Sequence, residues 1–212
     1  MRYFIHLSYK GTHYHGWQRQ NNAPTVQAEL EDKISKVLKT PIEIIGCGRT
    51  DTGVHAHSYY AHFDIDFPIP QNIEHLLNSI LSENIGVYAV LKSSDDIHAR
   101  FSADFRSYRY FIHYKKDPFL IDRNFHYRQS NRPNIHLMNE FCQQLLNIED
   151  FTSFEKKGSD NNHSRCTVTK AVWTPTENGC YFEITANRFL RNMVRAIVGT
   201  SLMIGCKKTD LI

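Results

Sequence analysis

Alternation opens the chain: Tyr3, Ile5, Leu7 and Tyr9 stand between more polar neighbours, the period-2 pattern of a strand buried on one face. Thr25 then occupies the place of a helix N-cap, ahead of Val26, Leu30, Ile34, Val37 and Leu38 at helical spacing. IEIIG at 42–46 predicts a second strand, and Tyr59, Ala61 and Phe63 alternate in a third. Leu76, Leu77, Ile80 and Leu81 predict a short helix, followed by an apolar strand, GVYAVLK, at 86–92. The polar, turn-rich run SSDDIHARFSAD at 93–104 reads as a connection.

A second half repeats the scheme. Tyr108, Tyr110, Ile112 and Tyr114 line one face of a strand, and Arg109, Phe111 and His113 the other. Leu137, Met138, Phe141, Leu145 and Leu146 predict a helix over 135–146, and GSDNNHS at 158–164 a mobile polar loop. Strands are expected at 166–174 and 180–186, and Phe189, Leu190, Met193, Val194, Ile197 and Val198 form the apolar stripe of a last helix. Two successive strand–helix–strand–strand units predict an α+β protein: two α/β halves with mainly antiparallel sheets, residues 1–104 and 105–212. No sequence repeat is visible between the halves, and neither GxGxxG nor GxxxxGK[ST] occurs.

Composition narrows the class. With 212 residues and 41% hydrophobic side chains the chain can bury a sizeable core, which excludes disorder and low complexity. No stretch approaches the roughly 18 apolar residues of a membrane helix, and MRYFIHLSYK turns polar too soon for a secretory signal. Five cysteines without a CxxC fit free thiols in a reducing cytosol, so a soluble cytoplasmic protein is expected.

The formal charge of +3 hides a block structure. Residues 1–20 hold three basic side chains and no acid, whereas 21–99 hold five basic against eleven acidic. Residues 100–132 reverse this with eight against three, 133–183 hold four against seven, and 184–208 hold five basic and no acid. A fold that gathers the basic blocks would present a surface suited to a polyanion such as nucleic acid; ordinary solvated faces are the plainer reading.

Three segments carry candidate chemistry. In GCGRTDTGVHAH, 46–57, Arg49 and Asp51 stand two apart in a glycine-rich loop after a strand. A carboxylate held there beside a guanidinium stays ionised and can serve as nucleophile, general base or metal ligand; as structure alone it would cap a turn. Arg188, Arg191 and Arg195 fall at i, i+3 and i+7 of the expected last helix, with no acid nearby in sequence to pair with them. RSYRYFIHY, 106–114, interleaves cations with tyrosines, which suits phosphate contact and base stacking, or simply a strand with core tyrosines. Two HxH pairs, His13/His15 and His55/His57, with Cys47 near the second, are compatible with zinc, although twelve histidines produce such pairs by chance.

Six segments in order, YKGTHYHGWQRQ (9–20), TVQAELE (25–31), GCGRTDTGVHA (46–56), HARFSADFRSYRYFI (98–112), DFTSF (150–154) and NRFLRNMVRAIVG (187–199), together resemble the tRNA pseudouridine synthase A family. The resemblance implies a pseudouridine synthase fold around a central basic cleft, acting as a homodimer on uridines 38, 39 and 40 of the tRNA anticodon arm, with no cofactor and no metal. It implies Asp51 as nucleophile, Arg195 as its basic partner with Arg49 in support, and Tyr108 as the ring against the target base. Arg191, Arg109 and His55 are the expected RNA-binding side chains. Whether the carboxylate attacks base or sugar, or removes a sugar proton, stays open.

The pattern is departed from at three places. Thr52 stands where Ala is usual, and Asn78-Ser79-Ile80-Leu81-Ser82 lacks the family's proline. Family chains continue to a Gly-Leu-rich strand, so the second half is expected to lack its last strand. Two rival readings are an RNA-binding module without catalysis and a metal-dependent nucleic-acid hydrolase built on the HxH pairs and Asp51. The intact GRTD loop argues against both.

Overall fold

The alternation at the start of the chain becomes β1 (Arg2–Tyr9), which buries every second residue: Tyr3, Ile5, Leu7 and Tyr9. The structure, a computed structural model, describes residues 1–158 and 163–207. Most of the expected 158–164 loop and the last five residues, where the absence of a final strand was expected to bear, lie outside the described residues. The chain divides into two compact units, Met1–Ala103 and Asp104–Ile212.

In the first unit β1 pairs antiparallel with both β3 (Ala56–Asp64) and β4 (Ile85–Ser93), while β2 (Ile45–Gly46) adds to β3, giving the order β2-β3-β1-β4. α1 (Val26–Leu38) and α2 (Ile73–Asn78) cover the face that carries Ile5, Leu7, Phe63 and Val87. Each fully buried Leu or Ile there is worth about 1.5–3 kcal/mol. Thr25 caps α1 as expected, its hydroxyl accepting from the Ala28 N–H at 3.3 Å. α2 is tied to the sheet edge by Asn78, whose amide bonds both the N–H and the C=O of Val87 at 2.8 Å. This is the Asn of the proline-lacking segment, and its role is to satisfy an edge-strand backbone that has no neighbouring strand.

The second unit orders its strands β6-β5-β8-β7, from β5 (Arg106–His113), β6 (Phe125–His126), β7 (Val168–Thr176) and β8 (Gly179–Ala186). α3 (Ile135–Leu145) and α4 (Met193–Gly205) share one core with the sheet, in which Trp173 stacks on Phe182 at 5.1 Å. Asn139 fastens α3 to β7 as Asn78 fastens α2 to β4, bonding the Trp173 C=O at 3.0 Å and N–H at 2.7 Å. The two sheets share one feature: the first strand of each unit is central, β1 between β3 and β4 and β5 between β8 and β6. They differ in the last place, where unit 1 has antiparallel β4 and unit 2 the two-residue parallel β6.

Four expectations need correction. The 42–46 strand shrinks to Ile45–Gly46, because the Ile42 N–H goes to the Ser35 hydroxyl and the Ile44 N–H to Glu31 Oε1. These isoleucines pack on α1 instead of joining a ladder. α2 starts at Ile73 and ends at Asn78, with Ile80 and Leu81 in a turn on the Leu77 carbonyl. β6 is too short to carry a pattern and was not expected. α4 begins only at Met193, behind Asn192 at φ 67°, so Arg188, Arg191 and Arg195 do not form a row on one helix face. Only Arg195 of the three is helical. No described helix is long and apolar enough to cross a membrane.

The exposed face of the second sheet makes one pH prediction. Glu183 accepts from Lys170 Nζ at 2.6 Å and Arg109 Nε at 3.0 Å. The Lys170 bond first, against burial and with help from Arg109, holds its carboxyl below the ordinary 4.5. A depressed folded value means that the contribution is present above about pH 4.5 and is lost as pH falls through the folded value. Glu183→Gln is therefore expected to be less stable than wild type at pH 7 and to lose less on acidification to pH 3, as read by denaturant melts at the two pH values.

Candidate active site

The segment between β1 and α1 and the loop between β2 and β3 are built against each other. The Trp17 N–H donates to the Thr50 carbonyl at 3.1 Å, and the Gly53 N–H donates to the Tyr14 carbonyl at 3.3 Å. The Gly11 N–H donates to His55 Nδ1 at 3.0 Å, and the Tyr9 hydroxyl bonds Thr50 Oγ1 at 2.9 Å. The Tyr59 hydroxyl bonds both the N–H and the carbonyl of Gly48. Beneath the loop Tyr9, Trp17 and Tyr59 form a buried aromatic cluster, with Trp17 and Tyr59 centroids 4.2 Å apart.

Two glycines make this approach possible. Gly16 has φ +89°, and a Cβ on it would press into the Thr50 carbonyl oxygen; a Cβ on Gly11 would meet the Val54 carbonyl. The YKGTHYHGW spacing is thus the mould of the GRTD loop. Tyr9, Trp17, Tyr59 and Thr50 were not singled out from the sequence as site residues, although the glycine and aromatic spacing around them carried the signal.

Within this frame the Asp51 carbonyl accepts from the Val54 N–H at 3.2 Å, turning the chain, while the Asp51 side chain is exposed. Arg49 and His55 lie in the same loop. Arg49 is exposed and lines a cavity of about 150 Å³ with Trp17, Gln18, Gly48 and Arg100. His55 accepts the Gly11 N–H through Nδ1, which places the proton of its neutral ring on Nε2. That bond gives His55 a structural task in addition to the RNA contact expected of it. Among the described residues no three His, Cys, Asp or Glu side chains are grouped as a metal set. The HxH hydrolase reading therefore finds no support in the geometry.

In the second unit Tyr108 and Tyr110 project from the core-facing side of β5. Tyr108 meets Phe189 edge-on, with centroids 5.0 Å apart and planes at 90°. Burial raises the Tyr110 phenol pKa, and the nearby Arg195 guanidinium opposes that rise. Arg195 stands in the first turn of α4, which has no acidic side chain. A cation at the positive end of a helix costs stability, so its position there is not explained by the helix. Arg109 points to the other face of β5, paired with Glu183 and lying 5.6 Å from the Tyr181 ring, so it is not brought together with Tyr108. Arg191 lies in the turn before α4, exposed, its carbonyl accepting from the Lys156 N–H at 3.0 Å. A larger cavity of about 650 Å³, between β6 and α4, contains none of these residues.

The sequence is similar to those of known proteins. The chain is 44% identical over 206 residues to a tRNA pseudouridine synthase A of Parabacteroides distasonis, covering 96% of this chain and 81% of the relative. A tRNA pseudouridine synthase A of Bacteroides fragilis is 44% identical over 99% of this chain and 84% of its own length. That of Chlorobaculum tepidum is 38% identical over 97% and 83%. The tRNA pseudouridine synthase family model matches residues 6–102 and 141–211, which takes in both the moulded GRTD loop and the α4 segment. On that coverage, and with an α+β architecture of two antiparallel-rich sheets, the chain belongs to the tRNA pseudouridine synthase family.

Proposed function

We propose that this protein isomerises uridine to pseudouridine at positions 38, 39 and 40 of the tRNA anticodon stem-loop, with Asp51 as nucleophile. The observation that carries the reading is the GRTD loop itself, whose main chain is held at Gly48, Thr50 and Gly53 and whose His55 ring accepts the Gly11 N–H, while Asp51 is exposed. Preorganisation of this kind places a charged group without reorganisation during the reaction. Arg195 is the guanidinium that keeps the carboxylate ionised, and Tyr108 the ring that packs on the target base; Arg49, Arg191 and His55 contact the RNA. Support for these roles comes from the family motifs at those positions. Arg109 keeps an RNA-binding role only if the phosphate competes with Glu183.

The chemistry balances within one nucleotide. The bond from N1 to the sugar C1′ breaks, the base turns and C5 bonds C1′; C5 gives up its proton to water, and N1 takes up a proton in place of the sugar. No oxidant, reductant or water is consumed, so no cofactor is demanded. A stem-paired uridine must first leave its helix, at a cost of a few kcal/mol that phosphate contacts and stacking offset. A homodimer in the cytoplasm completes the reading and rests on the family resemblance.

Because C5 loses its hydrogen, an anticodon stem-loop carrying tritium at uridine C5 tests the reaction directly. Release of tritium to water by the wild-type protein, without added metal or nucleotide, is expected; bound RNA with no release would leave the binding-module reading. In the same assay Tyr108→Phe is expected to retain most of the rate, since the ring is kept. Tyr108→Ala is expected to lose about 10²-fold in kcat, the scale of a misplaced reacting group. A fully active Tyr108→Ala enzyme would remove Tyr108 from the site.

A further inference from the structure

The turn from His98 to Ser102 is held more tightly than a surface connection requires. His62, buried on β3, accepts the Ala99 N–H through Nδ1 at 3.1 Å. His98 Nδ1 accepts the N–H groups of Arg100 at 3.1 Å and Phe101 at 3.3 Å. The Ser102 N–H donates to the His98 carbonyl at 2.9 Å, and its hydroxyl accepts the His98 N–H at 2.9 Å. Every main-chain N–H from 98 to 102 therefore has an acceptor. The two imidazoles meet edge-on at 4.7 Å, and the His98 ring lies 4.4 Å from Phe101. Burial first, then the charge of Arg2 and the proximity of His98, pushes the His62 pKa down to about 4, so at neutral pH its ring stays an acceptor.

What this turn delivers is Arg100. Arg100 lines the cavity of about 150 Å³ that Arg49 also lines from the GRTD loop, two residues from Asp51. Gln18, Gly48 and Trp17 are among the other residues of that wall, and none of the described residues lining the cavity is Asp or Glu. Two arginines on one cavity wall suit a phosphate, whose oxygens guanidinium groups bind through forked hydrogen bonds.

We infer that Arg100 and Arg49 form a phosphodiester subsite on the wall of the catalytic loop, taking an RNA backbone phosphate beside the target uridine, with His62 and His98 as positioning residues that hold Arg100 there. Turning a nucleotide out of a helix rotates its backbone, and a clamp on the flanking phosphate would offset part of that cost. The inference deepens the isomerase reading and rests on it.

The test uses anticodon stem-loops in which one linkage at a time near the target uridine is a neutral methylphosphonate. Wild type is expected to bind one such RNA about 10-fold more weakly, whereas Arg100→Ala binds it as it binds the unmodified RNA. Arg100→Ala should also lower the slope of log affinity against log salt by about one, as loss of one phosphate contact does. Its KM for the unmodified RNA should rise by more than its kcat falls. His62→Asn keeps an oxygen where Nδ1 accepts and should behave as wild type, while His62→Leu should behave as Arg100→Ala. An equal methylphosphonate response in wild type and Arg100→Ala would overturn the subsite, and a wild-type response in His62→Leu would overturn the positioning role. If the Arg100-dependent response persists in a protein that releases no tritium, the isomerase reading fails and the phosphate site stands.

Discussion

Asp51→Asn is expected to lower pseudouridine formation by at least about 10⁴-fold, the scale seen when a nucleophile is removed from a preorganised site. The substitution is nearly isosteric, and the bonds that hold the loop run through the main chain of Thr50, Gly53 and Val54 and through His55. The Asp51 carbonyl, which accepts from Val54, is kept. The thermal midpoint should therefore move little while single-turnover conversion vanishes, and RNA affinity should stay within a few-fold of wild type. Rate and melting curve are measured on one preparation. Unfolding in parallel with loss of rate would assign Asp51 to the fold, and retained conversion would remove it as nucleophile.

Gly16→Ala is expected to cost about 3 kcal/mol of stability in the first unit, the sum of a left-handed backbone that an L side chain resists and a Cβ forced against main chain. Gly16 has φ +89°, and the atom in the way is the Thr50 carbonyl oxygen, which cannot swing aside as a side chain can. Thr50 is next to Asp51 and its carbonyl also accepts the Trp17 N–H, so relief of the clash must move the GRTD loop. Conversion should fall with stability, and lowering the temperature should restore the folded fraction without restoring the full kcat. Gly199→Ala is the control: it lies in α4, exposed, with open space where a Cβ would stand. That change should be neutral or stabilise by roughly 0.5–1 kcal/mol. Equal behaviour of the two variants in chemical melts would show that the moulding of the loop by Gly16 carries no energy.

Legibility in the sequence followed the physics of each element. β1, α1, β5 and α3 were readable because one face of each is buried, and burial writes a period into the residues. The strand expected at 42–46 failed because Ile42 and Ile44 are apolar for α1, and side chains on that helix take their N–H groups. The start of α4 failed because Phe189 and Leu190 continue the apolar stripe backwards into a turn, and only the left-handed Asn192 breaks it. Asparagine tolerates that conformation, so no glycine announced it. Asp51, Arg49 and His55 were legible as a cluster because they are neighbours in one loop. Arg100 was not, because its approach to Arg49 depends on the acceptors His62 and His98, and no spacing rule reports a hydrogen bond made across 37 residues.

The most direct measurement maps pseudouridine in unmodified tRNA after incubation with the wild-type protein and with Asp51→Asn, by chemical labelling and primer-extension stops. Wild-type stops confined to positions 38, 39 and 40 are expected, and none with the variant. Stops elsewhere in the tRNA, equal stops in both proteins, or bound tRNA with no stops at all would contradict the isomerase reading with Asp51 as nucleophile.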